Sequence, residues 1–157
     1  MEIYCADCGC LVERGVRVIP CDTDECCCLD LPVAEPMQVL AARLRTSFNA
    51  RDMEMFRSLI AEDAKWGEDP DHPNTCHNRN DIIATYQRHL TEGVRGQVAE
   101  TTVGPGGVMC LLEIEWPDPD HAARGPSLFQ VFLVRDGLIT KIEGHDDREL
   151  ALASISI

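Results

Sequence analysis

The chain has 157 residues, with 27 acidic against 14 basic side chains and a formal net charge of −13. That length holds one ordinary domain and a small appendage. No basic stripe is present, which argues against nucleic acid as a partner, because phosphate neutralisation supplies most such affinity. No apolar run approaches the roughly 20 residues of a membrane-spanning helix, so no membrane partner is expected.

Seven of the nine cysteines fall within the first 28 residues: Cys5, Cys8, Cys10, Cys21, Cys26, Cys27 and Cys28. The same stretch has few large apolar side chains (Ile3, Leu11, Val12, Val16, Val18, Ile19), too few for a core of its own. A segment that small needs disulfides or a metal. The opening Met1-Glu2-Ile3-Tyr4-Cys5 has neither the basic nor the apolar region of a secretory leader. A reducing, cytoplasmic setting is therefore expected, where clustered thiolates read as a structural zinc site. Cys5-Ala6-Asp7-Cys8-Gly9 is a C-x-x-C-G knuckle. Zinc takes four tetrahedral ligands, and two sets compete: Cys5, Cys8, Cys21 and Cys26, or Cys5, Cys8, Cys26 and Cys28. Free or redox-active thiols are the alternative. The residues between, from Leu11 to Ile19, read as a β-hairpin. Residues 1–33 are thus a Cys-rich zinc-ribbon-like segment, and residues 34–157 a second unit.

The junction is marked by Pro32 and Pro36. Met37, Leu40, Leu44 and Phe48 then recur at helical spacing and predict an amphipathic helix ending near Asn49. Asp52 reads as the N-cap of a short second helix carrying Phe56, Leu59 and Ile60. Ala61 to Trp66 reads as a strand, with Trp66 facing inward. A loop dense in Gly, Pro and polar residues follows. In it His72, Cys76 and His77 read as solvent-exposed rather than as a second metal site, because no spaced second pair accompanies them. A third helix from about Arg79 to Leu90 turns Ile82, Ile83, Tyr86 and Leu90 inward, with His89 at the surface or rim. Arg79, at a helix start where the dipole disfavours a cation, is expected to pair with Asp69 or Asp147. Four strand-like runs complete the chain at 94–103, 107–116, 127–135 and 138–145. Gly104-Pro105-Gly106-Gly107 and Arg135-Asp136-Gly137 turn the two hairpins.

The order helix, helix, strand, helix and antiparallel meander resembles the cone-shaped α+β fold of nuclear transport factor 2-like proteins. Phe48-Asn49-Ala50-Arg51-Asp52 with Leu59-Ile60-Ala61-Glu62-Asp63-Ala64 is similar to the F-x-A-x-D … L-x-A-x-D-A opening of the SnoaL-like and ketosteroid isomerase branch. Asn78-Arg79-Asn80-Asp81-Ile82 resembles the G-R-x-x-I that starts the third helix there, with Asn78 in place of glycine. Val134 to Ile139 resembles the final hairpin. The resemblance covers about residues 36–150. It implies a curved antiparallel sheet closed by three helices over a small-molecule pocket, and a homodimer formed through the open sheet face.

It also implies roles. Glu68-Asp69-Pro70 stands where the isomerases carry their general base in an E-D-P run, so Asp69 inherits that candidacy. One of His145 or Asp147, at the end of the last strand, would supply a second acid–base group, since alternation with Ile142 lets only one of each neighbouring pair face inward. The oxyanion positions are occupied by Leu44 and Gln130, which argues against true ketosteroid isomerisation. Trp66, Tyr86 and Gln130 are the expected pocket residues, and the expected ligand is a small apolar or carbonyl-bearing molecule. Two readings follow: an isomerase, cyclase or hydrolase using acid–base chemistry, or a non-catalytic ligand-binding or interaction module.

Overall fold

The apolar runs of the last four strand segments make a sheet, and the helical periodicities before them supply its cover. The computed structural model describes residues 3–5, 8–13, 16–19, 35–67, 69, 71–118 and 125–156. In chain order the elements are β1 (Ile3–Tyr4), β2 (Leu11–Glu13), β3 (Val16–Ile19), α1 (Pro36–Ala50), α2 (Met53–Ser58), β4 (Ile60–Trp66), α3 (Arg79–Thr91), β5 (Arg95–Gly104), β6 (Gly107–Glu115), β7 (Ser127–Arg135), β8 (Leu138–His145) and α4 (Arg148–Ser154). No helix among the described residues is long and apolar enough to cross a membrane.

The main sheet has the order β4-β8-β7-β6-β5. Its β5 to β8 meander is antiparallel, and β4 joins the edge parallel to β8. The hairpin between β7 and β8 closes at Asp136 and Gly137, with φ of 53° and 80°. Positive φ at both central residues is the turn whose twist matches paired strands. A bulge on β5 between Val98 and Glu100 bends that strand. Asn49 at the end of α1 accepts the Val98 N–H at 2.9 Å, pinning helix to strand there.

Local capping sets the helix starts. Asp52 accepts the Met55 N–H at 3.0 Å to begin α2, and Asn78 accepts the Asp81 N–H at 2.9 Å to begin α3. The helices lie on the inner face of the sheet. Leu44, Phe56 and Ile82 from the helices meet Cys110, Leu112, Phe132 and Ile142 from the strands in one core.

Two features differ from the sequence reading. Four helices, not three, are present among the described residues, the additional one being α4. Asp147 caps it, accepting the N–H groups of Glu149 at 2.7 Å and Leu150 at 3.3 Å. The second difference follows from the first: the outer face of the sheet is not left open. Ala151 and Ile155 pack there on Met109 and Val131, which are fully buried, and Arg148 holds Glu100 of β5 through two bonds of 2.8 and 3.1 Å.

The N-terminal hairpin forms a separate three-stranded antiparallel sheet in the order β1-β2-β3. It lies along α1, where Leu11 and Val18 pack with Ala42. Arg45 of α1 ties it down, bonding Glu13 at 3.0 Å with one nitrogen and Thr101 of β5 at 2.9 Å with the other. The junction expected at residues 33 and 34 lies outside the described residues.

Candidate functional site: an apolar cavity with a tyrosine–glutamine pair

Between the helices and the inner sheet face lies a cavity of about 160 Å³. Its strand wall follows from alternation, with Leu112, Ile114 and Trp116 at every second position from β6 onward and Leu128 and Gln130 likewise on β7. Its helix wall comes from Phe48 of α1, Phe56 of α2 and Tyr86 of α3. The aromatic rings support one another. Tyr86 stacks on Trp66 with centroids 4.9 Å apart and planes 18° from parallel. Phe48 and Phe56 meet the Tyr86 ring edge-on at 5.4 and 4.9 Å. Such pairs fix ring positions beyond what burial alone would do.

The polar content of this cavity is small and specific. The Tyr86 hydroxyl donates to Gln130 Oε1 at 2.7 Å. Gln130 is 2 % exposed, yet it faces the cavity. With its oxygen engaged by Tyr86, the amide nitrogen has no hydrogen-bond partner among the described residues and is free to donate to a guest. Burial, with the nearby Cys110 and Cys76 thiols, raises the Tyr86 pKa well above its ordinary value, against the opposing effect of the Gln130 bond. Tyr86 is thus held as a neutral donor. Cys110, which faces Gln130 across the β6–β7 pair, is likewise pushed up to about 12 by burial, partly offset by Arg45. The remaining ionisable groups among the described lining residues are Arg51 and His89, with no carboxylate.

A family model of the SnoaL-like domain matches residues 41–142, more than half of the chain. The chain belongs to the SnoaL-like domain family. Solved structures share the fold. A candidate ketosteroid isomerase from Kribbella flavida is 22 % identical, with a TM-score of 0.52 over 69 % of this chain and 76 % of that one. A candidate polyketide cyclase from Sinorhizobium meliloti is 15 % identical, with a TM-score of 0.53 over 71 % of this chain and all of that one. A computationally designed 17-OHP binder is 19 % identical, with a TM-score of 0.50 over 74 % and 96 % of the two chains. Among curated proteins, no sequence match reaches significance.

Within this SnoaL-like domain, Trp66, Tyr86 and Gln130 are brought together around the cavity. The three acid–base candidates are not. Asp69 is exposed and outside the lining; its carboxylate accepts the Asp71 N–H at 2.9 Å, the turn-forming use of an aspartate in a loop. That loop is an excursion closed at its base by the Trp66–Cys76 bridge. His145 pairs with Phe129, so both point to the outer face of the sheet, away from the cavity. There His145 Nε2 sits 3.7 Å from Glu143 and 3.5 Å from the Ser154 hydroxyl. Asp147 is spent on capping α4. Leu44, at the other oxyanion position, is fully buried in the core.

Arg79 does not pair with Asp69 or Asp147; its Nε is buried without a hydrogen-bond partner. His72 and His77 are exposed, whereas Cys76 is buried against the Thr85 hydroxyl at 3.3 Å, so the three do not converge. His89 lines the cavity at its rim, 4.0 Å from Glu92. Of the expected zinc ligands, Cys5 and Cys8 are described, with the Cys5 carbonyl accepting the Gly9 N–H at 2.9 Å, while Cys21, Cys26, Cys27 and Cys28 fall outside the described residues. Among the described residues, no three metal-capable side chains cluster.

Arg51 and Trp116 are lining residues that the sequence reading did not single out. Trp116 was within reach of it, two positions beyond Ile114 on an alternating run. Arg51 carried no such signal, because it lies in the left-handed turn that ends α1.

Proposed function

We propose that this SnoaL-like domain binds a small, mostly apolar molecule bearing a carbonyl or equivalent acceptor, with that acceptor seated on the Gln130 amide. The Tyr86–Gln130 pair in a mostly apolar, aromatic-walled cavity carries this reading. A dry cavity of roughly 150 Å³ accommodates a benzene-sized guest, so one ring system fits here and further atoms extend through the mouth. The pair is neutral, and a hydrogen-bonded amide and phenol favour an acceptor over a cation. The designed 17-OHP binder of the same fold is consistent with ligand binding.

Titration with a graded series of cyclic and aromatic ketones, read by the fluorescence of Trp66 and Trp116, tests it. Saturable quenching or enhancement is expected, weakened several-fold in Gln130→Leu. If no ketone gives a saturable response, the reading fails.

Isomerase or cyclase activity is the second reading, favoured by the names of the Kribbella and Sinorhizobium proteins. In this cavity it would place developing oxygen charge on Tyr86 and Gln130 and use His89 as the proton acceptor, because Asp69, His145 and Asp147 lie elsewhere. Turnover that persists unchanged in His89→Gln would remove that assignment.

The N-terminal segment is proposed to hold a structural zinc. Supporting this, Gly9 N–H bonds Cys5 O at 2.9 Å, Cys5 N–H bonds Cys10 O at 2.8 Å, and Gly9 takes φ of 78°, the tight turn expected of a thiolate knuckle. Elemental analysis of the purified protein without stoichiometric zinc would overturn it. A homodimer, implied by the resemblance, would have to use the part of the outer sheet face beside α4; a monomer mass in light scattering would remove it.

A further inference from the structure

We infer that the ligand of this cavity is an amphipathic acid, an apolar ring system carrying a carboxylate that Arg51 receives at the mouth. This rests on the cavity being the binding site, as proposed above, and adds the charge of what enters.

The first observation is compositional. Acidic side chains outnumber basic ones 27 to 14 in this protein, yet among the described residues that line the cavity none is acidic, and two of them, Arg51 and His89, are basic. A cavity so lined locally favours an anion over a cation. The bias runs against the field of the whole chain.

The second is the state of Arg51. It is exposed and makes no ion pair with a carboxylate among the described residues, whereas Arg45 is bound to Glu13 and Arg148 to Glu100. Among the lining cations His89 has Glu92 at 4.0 Å. Arg51 is therefore the guanidinium at this cavity with its donors uncommitted. The planar fork of donors matches a carboxylate bidentately.

The third is backbone geometry. Arg51 sits at φ 54° and ψ 38°, a left-handed position at the end of α1 where glycine is the usual occupant. Its backbone N–H is used there, bonding Phe48 O at 3.2 Å. An arginine in that position carries a conformational cost that glycine would avoid. The turn places Arg51 at the mouth, immediately after the helix that supplies Ser47 and Phe48 to the wall.

A polar groove adjoins the mouth and shares Arg51 and Ile114 with the cavity. It also holds Arg95, which bonds only the carbonyls of Leu90 and Val94, at 3.3 and 3.2 Å, together with Glu113 and Glu115. Those two carboxylates set how far out the acid group can sit. It meets Arg51 at the boundary and is repelled beyond it.

The test compares 4-oxo-4-phenylbutanoate with its primary amide, two molecules of nearly equal size that share the ring and ketone. Binding is read by tryptophan fluorescence for wild type, Arg51→Gly and Arg51→Lys. Glycine accepts the left-handed backbone, so loss of the fold is not the expected result of Arg51→Gly. The wild type is expected to prefer the acid by roughly fivefold, the scale of an exposed ion pair. Arg51→Gly should bring the ratio of the two affinities to about one, while Arg51→Lys keeps most of the preference. Equal binding of acid and amide by the wild type, or a preference that survives in Arg51→Gly, overturns the inference and leaves the cavity reading standing. If neither molecule binds, both fall together.

Discussion

The two faces of the main sheet use the same strands for opposite purposes. On the inner face, Gln130 and Cys110 sit among aromatic and aliphatic side chains, neutral and desolvated, beside an open cavity. On the outer face, Glu143, His145 and Glu100 lie among charged partners, and α4 lies across the middle. Glu143, His145 and Glu100 are thus on the side away from this cavity, whose described lining offers His89 for proton transfer. The difference teaches that acid–base residue types near the end of a strand are not a site until their parity along the strand is known. A shift of one residue would have reversed every assignment.

Truncating a core aromatic on the inner face should cost the most stability. Phe132 is fully buried and meets Phe48 and Phe56 with ring centroids at 6.1 and 6.4 Å. Phe132→Ala should cost about 3–5 kcal/mol of unfolding free energy, the usual range for an aromatic truncated in a packed core. Urea unfolding at neutral pH measures it. A loss under about 1 kcal/mol would mean that the helices do not close on the sheet as described.

Alkali should find the inner face next. Cys110 has its pKa raised from 9.0 to about 12 by burial, and Tyr86 is raised well above 10.0. Above pH 9.0 the unfolded chain releases the Cys110 proton while the folded chain keeps it. A raised folded-state pKa means that stability is full below the unfolded value and is lost as pH rises toward the folded one. The expected decline is about 1.4 kcal/mol per pH unit for such a group once its unfolded pKa is passed, with Tyr86 joining above pH 10.0. Cys110→Ala should flatten the first part of that decline in urea titrations made from pH 8 upward. An unchanged slope would mean that the thiol is not desolvated.

Much of this arrangement was legible in the residues. The four meander strands were readable from their apolar runs and glycine-rich turns, α2 from its Asp52 cap and α3 from the period of Ile82, Ile83, Tyr86 and Leu90, because those signals are local. Trp66 and Tyr86 were readable as inward side chains from strand and helix periods. The placement of His145 was readable too: with Ile142 inward, Gly144 is inward and His145 is outward, as observed. The resemblance to a pocket rim outweighed that parity in the reading. Asp69 stands outside the cavity for a different reason. Motif position suggested a base, whereas the Pro70 neighbour and the Asp71 N–H favoured a turn, a purely local preference. The helix α4 escaped because seven residues give under two helical turns, too few to display a period, and its stability comes from packing on Met109 and Val131.

A smaller effect separates capping from chemistry on the outer face. Asp147→Ala removes the acceptor of two N–H groups at the start of α4 and should cost about 1 kcal/mol. His145→Gln and Asp147→Asn should leave ketone binding in the cavity unaltered, since both side chains lie across the sheet from it. A several-fold loss of binding in either variant would break the separation of the two faces.

The least effect should come from acid, and it belongs to the outer face alone. The hydrogen bonds from Arg148, at 2.8 and 3.1 Å, hold the Glu100 carboxyl below the usual carboxylate value of 4.5. For a depressed pKa the stabilisation is present above the unfolded value and disappears as pH falls through the folded one. The window is therefore below pH 4.5. Both partners are 42 % exposed, so solvent and salt screen most of the gain. Glu100→Gln should bring the urea midpoint slightly down at pH 6, with the gap to wild type closing as the pH is taken below 4, and raised salt should narrow it at pH 6. Because Cys110 and Tyr86 respond to alkali and the Glu100–Arg148 pair to acid, the two ends of one pH–stability profile report on opposite faces of the same sheet. A Glu100→Gln variant that altered the alkaline limb as well would show that α4 and the cavity wall are coupled through β5, and the faces could no longer be treated as independent.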